Sequence, residues 1–434
     1  MAAFEPIPCQ RALFDLPDDV AYLNCASRSP MPRSVASEGV SALRAKLRPW
    51  TLPDSDALAE RTRALFARVV GADERAGGAD AIAITPSTSY AISQAARNLE
   101  PLCDRGAKVL VLEDQMSSNV YPWQALCART GAVLTPVPYP ADGDWTRALC
   151  ERDDWARVAV AALPQCHWSD GALVDLRRVA RRLRDARGER AALVVDATQS
   201  LGALPLDAAQ LDADVVCASA HKWLFGGYGC SLCYVGARWR TGARAPWEPL
   251  VHDEHARAGA DGDVELPFSR GDGAELAAGY PTAFKPGARR LDAGGRPNPV
   301  VLPTVAAGLE LVLSWGVDEI AATLGALGAP AVARARALGL WVPADGHRAP
   351  HLFGVRPGDW PDRRASADDL AWCTRAATAL RARDVHVTGR LGAIRTAPHV
   401  YNTPADIGAY GDALAAFVEA EAARADGKGV AFAP

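Results

Sequence analysis

The chain of 434 residues has no run of about 18 consecutive apolar residues, so nothing in it reads as a membrane span. Its start, Met1-Ala-Ala-Phe-Glu-Pro6, lacks the basic residues and apolar stretch of a secretory signal. A formal net charge of -4 gives no electrostatic reason to expect nucleic acid as a partner. No Gly-x-Gly-x-x-Gly follows a strand-like run, which weakens a nicotinamide-binding reading. No internal repeat is found. The ten cysteines are scattered and many lie in apolar runs, so reduced thiols in a cytoplasmic protein are expected rather than a disulfide framework. Cys230-Ser-Leu-Cys233 has redox spacing, but it lies in a strand-like run where residues three apart point to opposite faces. His252-Asp-Glu-His255 has no convincing third ligand nearby, so a solvated loop is expected there and no metal.

What is present suits a large soluble α/β protein. Apolar residues make up 49% and charged residues 23%, enough for a sizeable core, and the length allows two or three domains. From about residue 80, short apolar runs alternate with amphipathic stretches. Strands are expected at 81–84, 108–112, 133–137, 158–163, 193–195 and 215–217, with helices at 87–98 and 119–130. Such alternation argues for a mostly parallel sheet covered by helices on both faces. The arginine-rich stretch 177–190 could be a polyanion patch. However, Leu176, Val179, Ala180 and Leu183 share one helical face, so the arginines are read as the wet side of a packed helix. Residues 241–300, rich in Gly, Pro, Asp and Arg, read as a long excursion of the kind that forms lids or binding segments. Helical periodicity returns from Val301. A strand at 351–355 and a helix at 367–383 then suggest a smaller α+β domain.

Lys222 stands among small and apolar residues in Ala-Ser-Ala-His-Lys-Trp-Leu-Phe-Gly-Gly-Tyr-Gly, and Asp196 ends the run Leu193-Val-Val-Asp196. A lysine able to form a Schiff base, preceded by a strand-end carboxylate, suits pyridoxal phosphate. The carboxylate would keep the pyridine nitrogen protonated so that the ring can act as an electron sink.

These motifs, with Tyr22-Leu-Asn-Cys-Ala-Ser27, Ser118-Asn-Val-Tyr-Pro-Trp123, Asp196-Ala-Thr-Gln-Ser200, Gly287-Ala-Arg-Arg290 and the stretch around Arg395, span most of the chain. By them the chain resembles the fold-type I pyridoxal-phosphate enzymes of the class V aminotransferase group, which includes cysteine desulfurases, kynureninases and isopenicillin N epimerase-like proteins. The resemblance implies a large cofactor-binding domain at 31–290 with a mostly parallel seven-stranded sheet. It also implies an N-terminal segment at 1–30, packed near a small C-terminal α+β domain at 291–434. It implies a homodimer with active sites at the subunit interface. Lys222 would carry the internal aldimine and Asp196 would pair with the ring nitrogen. Gln199 would bond the ring 3-oxygen, and Ser87, Thr88, Ser219 and His221 would contact the phosphate. One of His167 or Trp168 would line the pocket. Arg395 would clamp the substrate α-carboxylate, and Asn24 would reach toward substrate. Relatives often carry Ser or Thr at the position of Pro297 to touch the partner subunit's phosphate. Proline has neither N–H nor hydroxyl, which makes Asn298 the better candidate for that contact.

Two departures prune the group. Where desulfurases stack a histidine over the ring, this chain reads Met116-Ser-Ser-Asn119. The stretch 385–394, where desulfurases carry a nucleophilic cysteine, has none. An aminotransferase-like enzyme acting on an amino acid as small-molecule substrate is therefore expected first. An epimerase or a carbon–sulfur or carbon–carbon lyase comes next, and a non-catalytic descendant of the fold last.

Overall fold

The computed structural model describes residues 5–52, 55–72, 74–241, 247–258, 282–295, 298–358 and 365–425. Much of the expected excursion at 241–300, including Pro297, lies outside the described residues. The strands are β1 Ala21–Tyr22, β2 Ile82–Thr85, β3 Lys108–Leu112, β4 Val133–Val137, β5 Val158–Pro164, β6 Ala192–Asp196, β7 Val215–Ser219, β8 Ser231–Val235, β9 Phe353–Val355, β10 Val385–His386, β11 Thr388–Arg390 and β12 Ala393–Thr396. The helices are α1 Arg33–Lys46, α2 Ser55–Val69, α3 Thr88–Asn98, α4 Tyr121–Thr130, α5 Trp145–Cys150, α6 Leu176–Arg187, α7 Ala237–Arg240, α8 Val301–Trp315, α9 Val317–Ala337, α10 Ala367–Arg381 and α11 Pro404–Ala425.

A seven-stranded sheet in the order β2-β8-β7-β6-β5-β3-β4 forms the centre of the larger lobe. Strands β3 to β7 pair in parallel and only β8 runs against its neighbours, so β2 to β7 all end at one edge. Every residue of β5 and β6 is buried, which explains why they read as unbroken apolar runs: helices cover both faces. β4 tolerates Pro136 because it is the edge strand. The arginine-rich segment forms α6 and buries Leu176, Val179, Ala180 and Leu183, as its periodicity indicates. Several expected boundaries move by one or two residues; α4, for example, begins at Tyr121 rather than 119, because Pro122 fits only in a helix's first turn.

The smaller lobe is built on the antiparallel sheet β11-β12-β9, covered by α10, with α11 packed on α9, α10 and the β1–β10 pair. Its core gathers Val355, Ile394, Tyr410 and Phe417 with Leu23 of the N-terminal segment, whose strand β1 pairs in parallel with β10. Helix α8 lies on the sequence stretch read as C-terminal domain. It nevertheless buries Leu302, Val305, Ala306 and Leu309 in the core beneath the main sheet, against α1 and α2.

The lobes meet backbone to backbone. Gly354 N–H donates to the Asp170 carbonyl at 2.9 Å, and Ala349 N–H donates to the Gly171 carbonyl at 2.8 Å. Gly171 has φ +77°, and a Cβ there would collide with the Leu352 carbonyl. Glycine meets both demands at no steric cost. Gly171→Ala should therefore destabilise the protein by about 3 kcal/mol or more. Gly143→Ala, with a similar φ of +74° and open space at Cβ, should cost only about 1 kcal/mol. Urea unfolding of the two variants checks this, and equal costs would show that the seam is not tight.

Candidate active site

The common strand edge collects the chemistry, as expected where ligands bind beyond the carboxyl ends of an open α/β sheet. A cavity of about 250 Å³ lies there. Its wall includes Ser87, Thr88, Asn119, Cys166, Trp168, Asp196, Thr198, Gln199, Ser219, His221 and Lys222. Each comes from a segment that leaves a strand: β2 leads to Ser87, β5 to Trp168, β6 to Asp196 and β7 to Lys222.

Lys222 begins a tight turn. Gly226 N–H donates to the Ala220 carbonyl at 2.9 Å, and Phe225 has φ +56°, a left-handed conformation that is costly for an aromatic residue. The Phe225 ring is held by Phe14 at 5.6 Å and His399 at 4.7 Å. Burial and the nearby Arg395 charge bring the Lys222 amine down to about 8. Asp196 is also buried, and burial pushes its carboxyl above the usual range even though Thr198 N–H donates to it at 3.0 Å. A buried carboxylate with so little compensation fits a cationic N–H partner, which the protonated ring of pyridoxal phosphate supplies.

At the other end of the cavity is a cluster of hydroxyls. Thr88 Oγ1 lies 2.7 Å from Ser219 Oγ and 3.0 Å from Thr198 Oγ1, which in turn accepts from Ser219 N–H at 3.2 Å. Ser87 caps α3 by accepting from Tyr90 N–H at 3.1 Å. The first-turn N–H groups of Thr88 and Ser89 have no intrahelical acceptor, so they and the helix dipole favour an anion. His221 stacks on Tyr228 with centroids 4.3 Å apart, and burial followed by the Lys222 charge lowers its imidazole to about 4. It is therefore a neutral wall. This end suits the phosphate and the carboxylate end suits the ring nitrogen.

Other expected residues fall differently. Trp168 lines the cavity but His167 does not. The His167 ring is fully buried against Trp145, with Nδ1 2.8 Å from Ser169 Oγ and Nε2 3.1 Å from the Glu113 carbonyl. The turn closed by Gly171 points the tryptophan outward and the histidine inward. Gln199 reaches the wall, but Nε2 donates to the Ala26 carbonyl at 3.1 Å and Oε1 accepts from Trp223 Nε1 at 3.2 Å. One N–H hydrogen of Gln199 is left for a ligand. Asn298 does not line this cavity. Its Oδ1 accepts from Val300 and Val301 N–H at the start of α8, and it borders a second cavity with Gly295 and Arg289. Asn24 accepts from Thr388 Oγ1 at 2.5 Å, and its backbone bridges to Ala397, two residues past Arg395.

Arg395 is almost fully buried on β12. It donates to the Trp168 carbonyl at 3.0 Å, and Nε has no partner. No carboxylate pairs with it among the described residues. Burial, reinforced by the Arg390 charge, lowers it to about 9, which shows how strongly the site calls for an anion. Sequence reasoning missed several wall residues, among them Thr198, Asn119 and Cys166. Thr198 was inside a quoted motif, but nothing in its type marked it. Asn119 Nδ2 is buried without a partner and needed the fold to place it. Cys166 lines the cavity directly before the His167–Trp168 pair that sequence reasoning did single out.

Beneath Trp223 lie two buried imidazoles. His351 Nε2 is 2.6 Å from the Gln199 carbonyl, and His399 Nδ1 accepts from Val400 N–H at 2.8 Å. Burial lowers His351 to about 4, and burial with the His351 charge lowers His399 to about 3. Unfolded, both would titrate near 6.5. The unfolded chain therefore binds protons that the folded one refuses, and stability must fall as pH drops from about 6.5 toward 4. The slope is about 1.4 kcal/mol per pH unit for each group. Urea midpoints at pH 7.5 and 5 check this, and the fall should shrink in His351→Phe.

Known proteins resemble the chain in sequence and in fold. The family model for class V aminotransferases matches residues 53–252. An uncharacterised aminotransferase of Bacillus subtilis is 28% identical over 79% of this chain and 80% of its own length. A kynureninase of Deinococcus radiodurans is 29% identical over 75% of this chain and 72% of its own. In fold, the chain superposes on a cysteine desulfurase of Thermococcus onnurineus with a TM-score of 0.75 and 19% identity, covering 96% of this chain and 100% of that one. The cavity chemistry, the fold and these relatives together identify the chain as a pyridoxal-phosphate-dependent enzyme of the class V aminotransferase family.

Proposed function

We propose that the protein transfers the amino group of a small amino acid, with Lys222 as the proton-moving residue and Arg395 as the carboxylate ligand. The observation that carries this is Arg395: a deeply buried guanidinium with no carboxylate partner among the described residues, close enough to Lys222 for its charge to lower the amine. An arginine fork pairs both oxygens of a carboxylate and so fixes the Cα of the amino acid. When bound, pyridoxal phosphate withdraws electrons from that carbon and makes its C–H bond acidic. Lys222, with its amine lowered to about 8, is partly neutral at physiological pH and is suited to take that proton and return it. Asp196 keeps a proton on the ring nitrogen. Thr88, Ser219 and the start of α3 hold the phosphate, and Trp168 closes the wall and orients Arg395 through its carbonyl.

A persulfide route is disfavoured by the thiols present. Cys166 lines the cavity and Cys25 lies near Lys222, but burial pushes both up to about 12, leaving no thiolate to attack. The kynureninase relative supports a carbon–carbon lyase as the second reading. All ten cysteines are free, which suits a reducing compartment. We place the enzyme in the cytoplasm as a homodimer, where Asn298 of one subunit would serve the other's phosphate.

Three outcomes are expected. Lys222→Ala should lose turnover with every amino acid, and a variant that keeps its turnover would refute the assignment. The rate at which apoprotein takes up pyridoxal phosphate should rise about tenfold per pH unit until about pH 8 and then level, because only the neutral amine reacts. Stopped-flow absorbance measures it. With a competent amino acid, the visible cofactor band should bleach and return on adding a 2-oxo acid. A band that persists while the amino acid is cleaved or inverted would favour the lyase or epimerase.

A further inference from the structure

We infer that Arg390 is a second anion-binding residue of the substrate site, so that the amino acid or 2-oxo acid taken up here carries an additional carboxylate on its side chain. The inference rests on the reading of Arg395 as the α-carboxylate ligand and extends it to the substrate class.

The argument begins with strand register. In the β11–β12 pair Thr388 stands opposite Arg395, and Arg390 stands opposite Ala393. Directly opposed residues share a face, and so do residues two apart. Arg390 and Arg395 therefore project from the same face of the hairpin as diagonal neighbours, with backbones about 7–8 Å apart. Thr388 lies between them on that face and holds Asn24 at 2.5 Å, so the N-terminal segment borders the same space.

Arg390 is half-buried, and its one hydrogen bond among the described residues is to the carbonyl of its own neighbour, Gly389, at 2.9 Å. Buried arginines elsewhere in the molecule are compensated. Arg63 pairs with Asp292, Arg184 with Asp214 and Arg356 with Asp170. Arg240 and Arg290 lack a carboxylate but each reaches two backbone carbonyls. Arg390 has neither form of compensation.

Its charge is felt at the site. The Arg390 guanidinium contributes to lowering both Lys222 and Arg395, and burial lowers Arg390 itself. Three cationic side chains thus converge with one carboxylate, Asp196, which faces the ring end of the cavity. An amino acid with only an α-carboxylate would satisfy Arg395 and leave Arg390 uncompensated. An acidic amino acid, or the dicarboxylic 2-oxo acid derived from it, would satisfy both.

Non-reactive acids separate the two cations. Calorimetric titration of the cofactor-loaded enzyme with glutarate and with butyrate should show tighter binding of glutarate, by about tenfold or more. Arg390→Gln should remove that preference while leaving butyrate unchanged, and Arg390→Lys should restore part of it. A wild type with no preference, or an Arg390→Gln variant that weakens both acids equally, would overturn the inference. Arg395→Gln tests the underlying reading separately. It should weaken both acids, and if it weakens neither, the α-carboxylate assignment fails and the second-anion inference falls with it.

Discussion

Asp170 has no access to water, and the arrangement of the site depends on how it is held. Arg356 Nη2 donates to one of its oxygens at 2.9 Å, and Tyr139 Oη donates to the same oxygen at 2.8 Å. Ala172 N–H donates to the other at 3.1 Å. Burial alone would raise this carboxyl, but the Arg356 charge outweighs it and holds the group below the usual range. Replacing such a pair with apolar residues can be nearly neutral, whereas removing one partner leaves a buried charge at a cost of about 3–5 kcal/mol. The pair spans the two lobes. Arg356 follows β9 of the smaller lobe and also donates to the Leu391 carbonyl at the β11–β12 turn. Asp170 closes the turn that carries Trp168. Because Arg395 donates to the Trp168 carbonyl, one buried ion pair sets the wall of the cavity and the direction of the Arg395 guanidinium together.

The lysine and its carboxylate were legible in the sequence because each sits at a strand end, and strand ends are easy to find in apolar runs as clean as those of β6 and β7. The N-cap Ser87 was legible for a similar local reason. His167 was not. Two adjacent aromatic residues after β5 look alike in sequence, and only the left-handed turn at Gly171 decides which one faces the ligand. Gln199 was half legible: its position on the wall followed from the motif, but its bonds to Ala26 and Trp223 depend on segments remote in sequence. The lobe to which α8 belongs could not be read either. An amphipathic helix announces that it buries a face, not against what.

The structural likeness to a cysteine desulfurase and the sequence likeness to an aminotransferase and a kynureninase do not conflict. In the proposed site the sheet, the lysine turn and the hydroxyl cluster serve the cofactor, and that task is common to these chemistries. What differs lies on the substrate side: which groups meet the side chain of the amino acid. Here the proposed substrate side has two guanidiniums on one hairpin face, and burial pushes the thiols of Cys25 and Cys166 up to about 12.

The close approach at Gly171 and Gly354 has a mechanical corollary. With backbones in direct contact and a shared ion pair behind them, the seam cannot open without breaking main-chain bonds. Any closure of the smaller lobe over a ligand must use the seam as a fulcrum and take up its rotation elsewhere, in the long helix α9 and the segment after it. Arg395 stands directly across the sheet from Gly354 and is bonded to the Trp168 carbonyl, so it lies on that fulcrum rather than at the end of a lever. The wall and Arg395 would stay still together, and a ligand would have to come to them.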